Sequence, residues 1–227
     1  MSDRAPTPLD IPDGVSHVVF FGGTFDPPHI AHITLADLAR RALEGQLGSP
    51  ALLVFVPAAR SPLKERAPEA TDAQRLAMLR LAIEGLPSCT IWTDEIDRAT
   101  RGEPSYWAKT LEHARSLLGG RAMSFIIGAD QAVNFHRWKK PRELLAMARP
   151  LVLPREPIVR AEQLRGRMAR VRYWTEEELD RWTAAFLEIG PLPAASTEVR
   201  DARGTPFETP LDHRVLRYAR EHHLYGL

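Results

Sequence analysis

An α/β fold, a parallel sheet with helices on both faces, is what three features of this 227-residue sequence predict. Short apolar runs recur at Val18–Phe21, Leu52–Val56, Thr90–Trp92, Phe125–Ile127 and Leu151–Leu153. Segments with helical spacing or helix-capping signals separate most of them, the alternation expected of parallel strands joined by crossover helices. The first run ends in glycines and passes straight into a helical pattern, so a strand-to-helix turn lies there. Linkers are short, and neither an internal repeat nor a low-complexity tract divides the chain. A single domain over residues 15–227 with a C-terminal helical region is therefore expected, after a flexible tail rich in proline and acid over residues 1–14.

Taken in order, Ser16-His17-Val18-Val19-Phe20-Phe21 reads as a buried strand, and Ile33 to Glu44 carries Ile33, Ala36 and Leu43 at helical spacing, with Leu35, Leu38 and Ala42 flanking. The longest apolar run, Ala51 to Ala59, is too short to span a bilayer and is broken by Pro57. Thr71-Asp72-Ala73-Gln74 has the capping-box form and opens a helix through Leu76, Leu79 and Ile83. Ser105 to Leu118 is a further helix. Thr175-Glu176-Glu177-Glu178 repeats the capping box ahead of Leu179, Trp182 and Phe186, and Leu211 to His222 closes the chain as an amphipathic helix.

Bulk properties narrow the function classes. Lysine and arginine number 30 against 29 acids, a net charge of +1, so no electrostatic footprint for nucleic acid exists and any phosphate must be held locally. The basic stretch Arg165 to Arg172 reads as a solvated face. One cysteine, Cys89, allows no internal disulfide, and the first residues lack a basic region followed by an apolar run. A cytoplasmic protein, without membrane partners, is the expectation.

The chemistry concentrates in Phe21-Gly22-Gly23-Thr24-Phe25-Asp26-Pro27-Pro28-His29-Ile30-Ala31-His32. Gly22 and Gly23 let backbone approach a ligand closely, Pro27 and Pro28 stiffen the entry to the helix, and the helix start favours phosphate through its unpaired N–H groups. His29 and His32, three apart, share a face if the first turn is helical and can address one anion. A tight turn with solvated histidines, or two histidines on a zinc ion, are the competing readings. A single cysteine and the want of a clearly paired acidic ligand weigh against the metal.

Phe125-Ile126-Ile127-Gly128-Ala129-Asp130-Gln131 again sets a glycine and an acid after a strand, where open α/β sheets bind ligands. Asp130 either accepts from a ribose or caps the next helix. Trp138, amid His136, Arg137, Lys139 and Lys140, either stacks on a heterocycle or packs in the core. Ser196, Thr197 and Arg200 could hold a polyphosphate or be a helix cap and a surface cation, and Lys64 either reaches the same edge or is solvated.

His29-Ile30-Ala31-His32 resembles the H-x-G-H mark of the nucleotidylyltransferase superfamily, with alanine in place of glycine. The joint order of these pieces with Phe55-Val56-Pro57, Arg75, Pro104-Ser105-Tyr106 and Leu224-Tyr225 is similar to the bacterial nicotinate mononucleotide adenylyltransferases, from about Val18 to Tyr225. The resemblance implies a Rossmann-like domain that transfers AMP from ATP to nicotinate mononucleotide, with Mg²⁺ arriving on ATP. It implies that His29, His32 and Arg200 handle the ATP phosphates, assisted by Ser196 and Thr197. Gly22, Gly23, Thr24, Phe25, Gly128 and Asp130 would line the ATP side, and Lys64, Tyr106, Trp107 and Trp138 the mononucleotide side.

Two departures stand out. The family's S-Y-T is Ser105-Tyr106-Trp107 here, which bears on recognition of the nicotinate carboxylate, and Ala194-Ala195 precede Ser196 where the family has a further hydroxyl. The resemblance leaves a homo-oligomer open. Its rivals are an adenylyltransferase for nicotinamide mononucleotide or phosphopantetheine, and a nucleotide-binding regulator without turnover.

Overall fold

A computed structural model describes residues 7–59, 68–103, 105–189 and 211–227. Lys64, Ser196, Thr197 and Arg200 lie outside the described residues. Five strands form one parallel sheet: β1 (His17–Gly23), β2 (Ala51–Pro57), β3 (Cys89–Ile91), β4 (Ala122–Gly128) and β5 (Arg149–Leu153), in the spatial order β3-β2-β1-β4-β5. Phe21 lies in register with Phe55 on one side and Ile126 on the other. The chain leaves β1 to one side through β2 and β3, then returns to its other side through β4. The reversal opens a crevice beyond the carboxyl ends of β1 and β4, where ligands bind in such sheets.

Alternation along each strand feeds two cores, as two-sided burial of a parallel sheet requires. Val18 and Phe20 join Leu52, Val54, Phe125 and Ile127 beneath α4 (Trp107–Leu117), α6 (Pro141–Met147), α7 (Ala161–Arg170) and α8 (Glu176–Ala184). Val19 joins Leu53, Phe55, Ile126 and Leu151 beneath α1 (Ile30–Leu47) and α2 (Asp72–Ile83). Helices therefore cover both faces. A third, smaller core of Ala70, Met78, Val215, Ala219, Leu224 and Tyr225 joins α2 to α9 (His213–Glu221).

Both capping boxes form: Thr71 accepts from the Gln74 N–H and Thr175 from the Glu178 N–H. Other boundaries move. Helix α1 starts at Ile30, a turn before the apolar periodicity begins, because its cap is a histidine. The sheet loses Trp92 to the core beyond β3, and α4 begins at Trp107 rather than Ser105. Short helices α3 (Asp94–Ala99) and α5 (Ala129–Val133) add turns that carry too few apolar positions for a periodic signal. The basic stretch from Arg165 is largely helix α7, whose inner face is Leu164 and Met168.

Of the segment before β1, residues 7–14 form no helix or strand, yet Leu9 and Ile11 pack on the first core. The Thr7 carbonyl accepts from Trp92 Nε1 at 2.9 Å, and its hydroxyl donates to Asp97 at 2.7 Å.

Candidate active site at the sheet reversal

At the end of β1 the glycines make room first for the protein itself. A Cβ on Gly22 would stand 2.6 Å from the Trp107 indole, one on Gly23 2.8 Å from the Phe25 ring, and one on Gly128 2.6 Å from Asp130 Oδ1. Phe25 takes a left-handed φ of 49° and turns its ring inward, 1 % exposed, edge-on to Phe21, Phe55 and His32. Only its backbone can meet a ligand. Thr24 gives its carbonyl to the buried guanidinium of Arg75, which also pairs with Asp72 at 2.6 Å.

The histidines cap α1 reciprocally. Nδ1 of His29 accepts from the His32 N–H at 3.2 Å, and Nδ1 of His32 accepts from the His29 N–H at 3.4 Å. An imidazole nitrogen that accepts carries no proton, so both neutral rings hold theirs on Nε2. The rings stack with centroids 3.5 Å apart and 15° between planes. Burial, reinforced by the Arg155 charge, pushes His29 down to about 4. At neutral pH His29 is a neutral N–H donor rather than a cation, and two stacked imidazoliums would repel. The pair offers fixed hydrogen bonds at a helix N-terminus, the arrangement that stabilises charge growing on phosphate oxygens.

Across the crevice, Asp130 sits in the first turn of α5 but does not cap it; the cap position is Gly128, without a side-chain bond. The capping alternative for Asp130 is thereby set aside. Its Oδ1 has no partner among the described residues, and its Oδ2 lies 3.8 Å from Arg155 Nε. Arg155 escaped the sequence reading because a lone arginine after a strand matches no pattern. It follows β5 at the sheet's carboxyl edge, with its side chain 55 % exposed between His29 and Asp130.

The aromatic residues gather on the α4 side. Trp107 meets Phe125 edge-on, Trp138 leans on Phe135 with centroids 4.8 Å apart, and neither indole N–H has a partner among the described residues. Lys139 Nζ stands 4.5 Å above the Tyr106 ring, which brings the Tyr106-Trp107 and Trp138-Lys139 pairs together. The structure thus gathers Gly22, Gly23, Thr24, Phe25, His29, His32, Gly128 and Asp130 around the reversal, with Tyr106, Trp107 and Trp138 on its flank. Among the described residues no group of three or more His, Cys, Asp or Glu could hold a metal ion.

A family model described as cytidylyltransferase-like matches residues 20–200, and the chain belongs to that family of nucleotidyl-transfer proteins. Among curated relatives, the nicotinate-nucleotide adenylyltransferases of Xylella fastidiosa (strain 9a5c) and Bordetella pertussis are 32% and 33% identical to it, over 92% and 93% of this chain and 96% and 99% of theirs. With identity of this order along nearly the whole length, it groups with the nicotinate-nucleotide adenylyltransferase branch. The fold has solved counterparts. A Plasmodium falciparum nicotinic acid mononucleotide adenylyltransferase superposes with a TM-score of 0.66 at 14% identity, covering 92% of this chain and 97% of that one. A Vibrio parahaemolyticus structure gives 0.60 at 16%, covering 93% and 96%.

Proposed function

We propose that this chain transfers the adenylyl group of ATP to the phosphate of nicotinate mononucleotide, releasing deamido-NAD and pyrophosphate. The mononucleotide phosphate oxygen attacks the α-phosphorus, a new P–O bond forms, and the bond to the bridging oxygen breaks with its electron pair leaving on pyrophosphate. No protein atom need form a covalent bond. The work is positioning and charge stabilisation. The observation that carries this reading is the reciprocal imidazole cap, which aims two Nε2–H donors from a helix start at the sheet reversal.

Arg155 supplies the cation that the neutral His29 does not, and Arg200, Ser196 and Thr197 are proposed to join it on the phosphates, with Lys64 on the mononucleotide side. Asp130, its side chain 39 % exposed beside Arg155, suits a ribose hydroxyl. Trp138 would lie against the pyridine ring. Lys139 beside it favours the acid over the amide, since a carboxylate gains from a nearby cation and a carboxamide does not. Mg²⁺ is proposed to arrive as a companion of ATP, held on its phosphates, where it would neutralise the departing pyrophosphate.

The described helices include none long and apolar enough to cross a membrane. The test is to supply ATP and Mg²⁺ with nicotinate mononucleotide, nicotinamide mononucleotide or phosphopantetheine, and measure pyrophosphate and the adenylylated product. Turnover with the acid is expected. Tight ATP binding without product would instead identify a regulator.

A further inference from the structure

We infer that Tyr225, beyond α9, is a positioning residue for the two-histidine turn, acting through the buried carboxylate of Asp26. Asp26 lies three residues before His29 and is 2 % exposed. Its Oδ1 accepts from the Tyr225 hydroxyl at 2.7 Å and from the Ala70 N–H at 3.1 Å, and its Oδ2 accepts from the Glu69 N–H at 2.8 Å. Tyr225, fully buried, also gives its own N–H to Glu69 Oε1 at 2.9 Å. Two carboxylates and two stretches of backbone thereby form a clasp joining the turn, residues 69–70 and the end of the chain.

A carboxylate is costly to bury unless donors converge on it, so the turn can keep Asp26 inside only while those donors stay in place. Tyr225 is fixed independently of the turn. It belongs to the small third core with Met78, Val215 and Ala219, and Arg214 of that helix pairs with Glu84 beyond α2 at 2.7 Å. The tyrosine therefore acts as an anchor. With Arg75 on the Thr24 carbonyl upstream, both ends of the approach to His29 are held from outside the turn. A shift of Asp26 would be passed through Pro27 and Pro28 to the cap, and so to the aim of both Nε2–H groups.

The turnover readout rests on the proposed adenylyl transfer; a second readout does not. Tyr225→Phe removes one hydroxyl and keeps the packing ring. It should lower kcat about tenfold with both KM values changed less than about twofold, since loss of a hydrogen bond to a charged group loosens the aim of catalytic donors rather than the ground-state contacts. Titration of His29 by its ring NMR signals should show its pKa rising from about 4 toward the ordinary 6.5 as the turn opens to water. Asp26→Asn, of nearly the same size, should do likewise, and the double variant should lose no more turnover than the worse single variant, as coupled partners do. Unchanged kcat and an unmoved His29 titration in Tyr225→Phe, or multiplicative losses in the double variant, would overturn the inference. A wild-type protein without turnover would refute the functional reading alone, and the His29 titration would still decide the clasp.

Discussion

The histidine turn and the aromatic flank face the same crevice but are finished to different degrees. In the turn, the Nδ1 atoms of both histidines are engaged by each other's backbone N–H, and the Thr24 carbonyl and the Asp26 carboxylate by other parts of the protein. On the flank, the indole N–H groups of Trp107 and Trp138 have no partner among the described residues, and Asp130 Oδ1 across the crevice has none either. A region whose internal bonds are complete before substrate arrives presents donors at fixed places and needs no reorganisation in the transition state. A region with buried polar atoms left unpaired is the less complete of the two, and its side chains have more to gain from rearranging when a ligand arrives. The turn should govern kcat, and the flank should govern the ratio between substrates.

The largest effect should come from His29→Asn. Asparagine is a good helix cap, so the start of α1 survives while the Nε2–H donor is lost. Turnover should fall about 10²–10³-fold, as for other donors aimed at developing charge, with little change in melting temperature. His29→Ala should lose as much turnover and also about 1 kcal/mol of stability with the cap. Equal activity in the asparagine variant and wild type would reduce the histidine to a cap and erase the distinction between the two regions.

Next comes pH. His29 titrates at about 4 in the fold against 6.5 unfolded, so between those values the unfolded chain binds the extra proton. Stability must then fall as the pH drops from 6.5 toward 4, by about 3 kcal/mol from this group, and level off below. The denaturation midpoints of wild type and His29→Asn, compared at both ends of that window, isolate this contribution. If no gap opened at the acid end, with wild type the less stable of the two, the ring would not be held neutral by burial.

Lys139→Met should act on the flank alone. The preference for nicotinate over nicotinamide mononucleotide, as a ratio of kcat/KM, should shrink about tenfold, the weight of one partly solvated charge pair, with kcat for the acid nearly kept. If kcat fell instead and the ratio stood still, the flank would share the turn's role. The smallest expected effect is that of Trp107→Thr, a few-fold sharpening of the same ratio as a smaller side chain opens the ring side.

Much of the architecture was legible because it repeats: all five strands announce themselves as apolar runs, and two of the helix starts as capping boxes. The site was legible where its residues are neighbours in sequence, as in the histidine turn. It was illegible where partners are distant. Nothing local to Asp26 points to Tyr225, 199 residues away, and Arg155 enters the crevice only because β5 ends beside β4. Gly22 was read as room for a ligand, whereas the neighbour pressed against it is an indole from α4. His29 concealed the start of α1, since histidine is not among the residues that ordinarily cap helices.

That contact between Gly22 and Trp107 also constrains the order in which the two positions could change. With the indole 2.6 Å from any Cβ at position 22, alanine there is harmful while tryptophan remains, but becomes tolerable once position 107 is small. The reverse path is closed as well: a chain with alanine at 22 could not acquire this tryptophan. The bulky residue makes the glycine beneath it necessary, so the two positions are coupled across the sheet edge and substitutions at 22 and 107 should not add in their effect on stability.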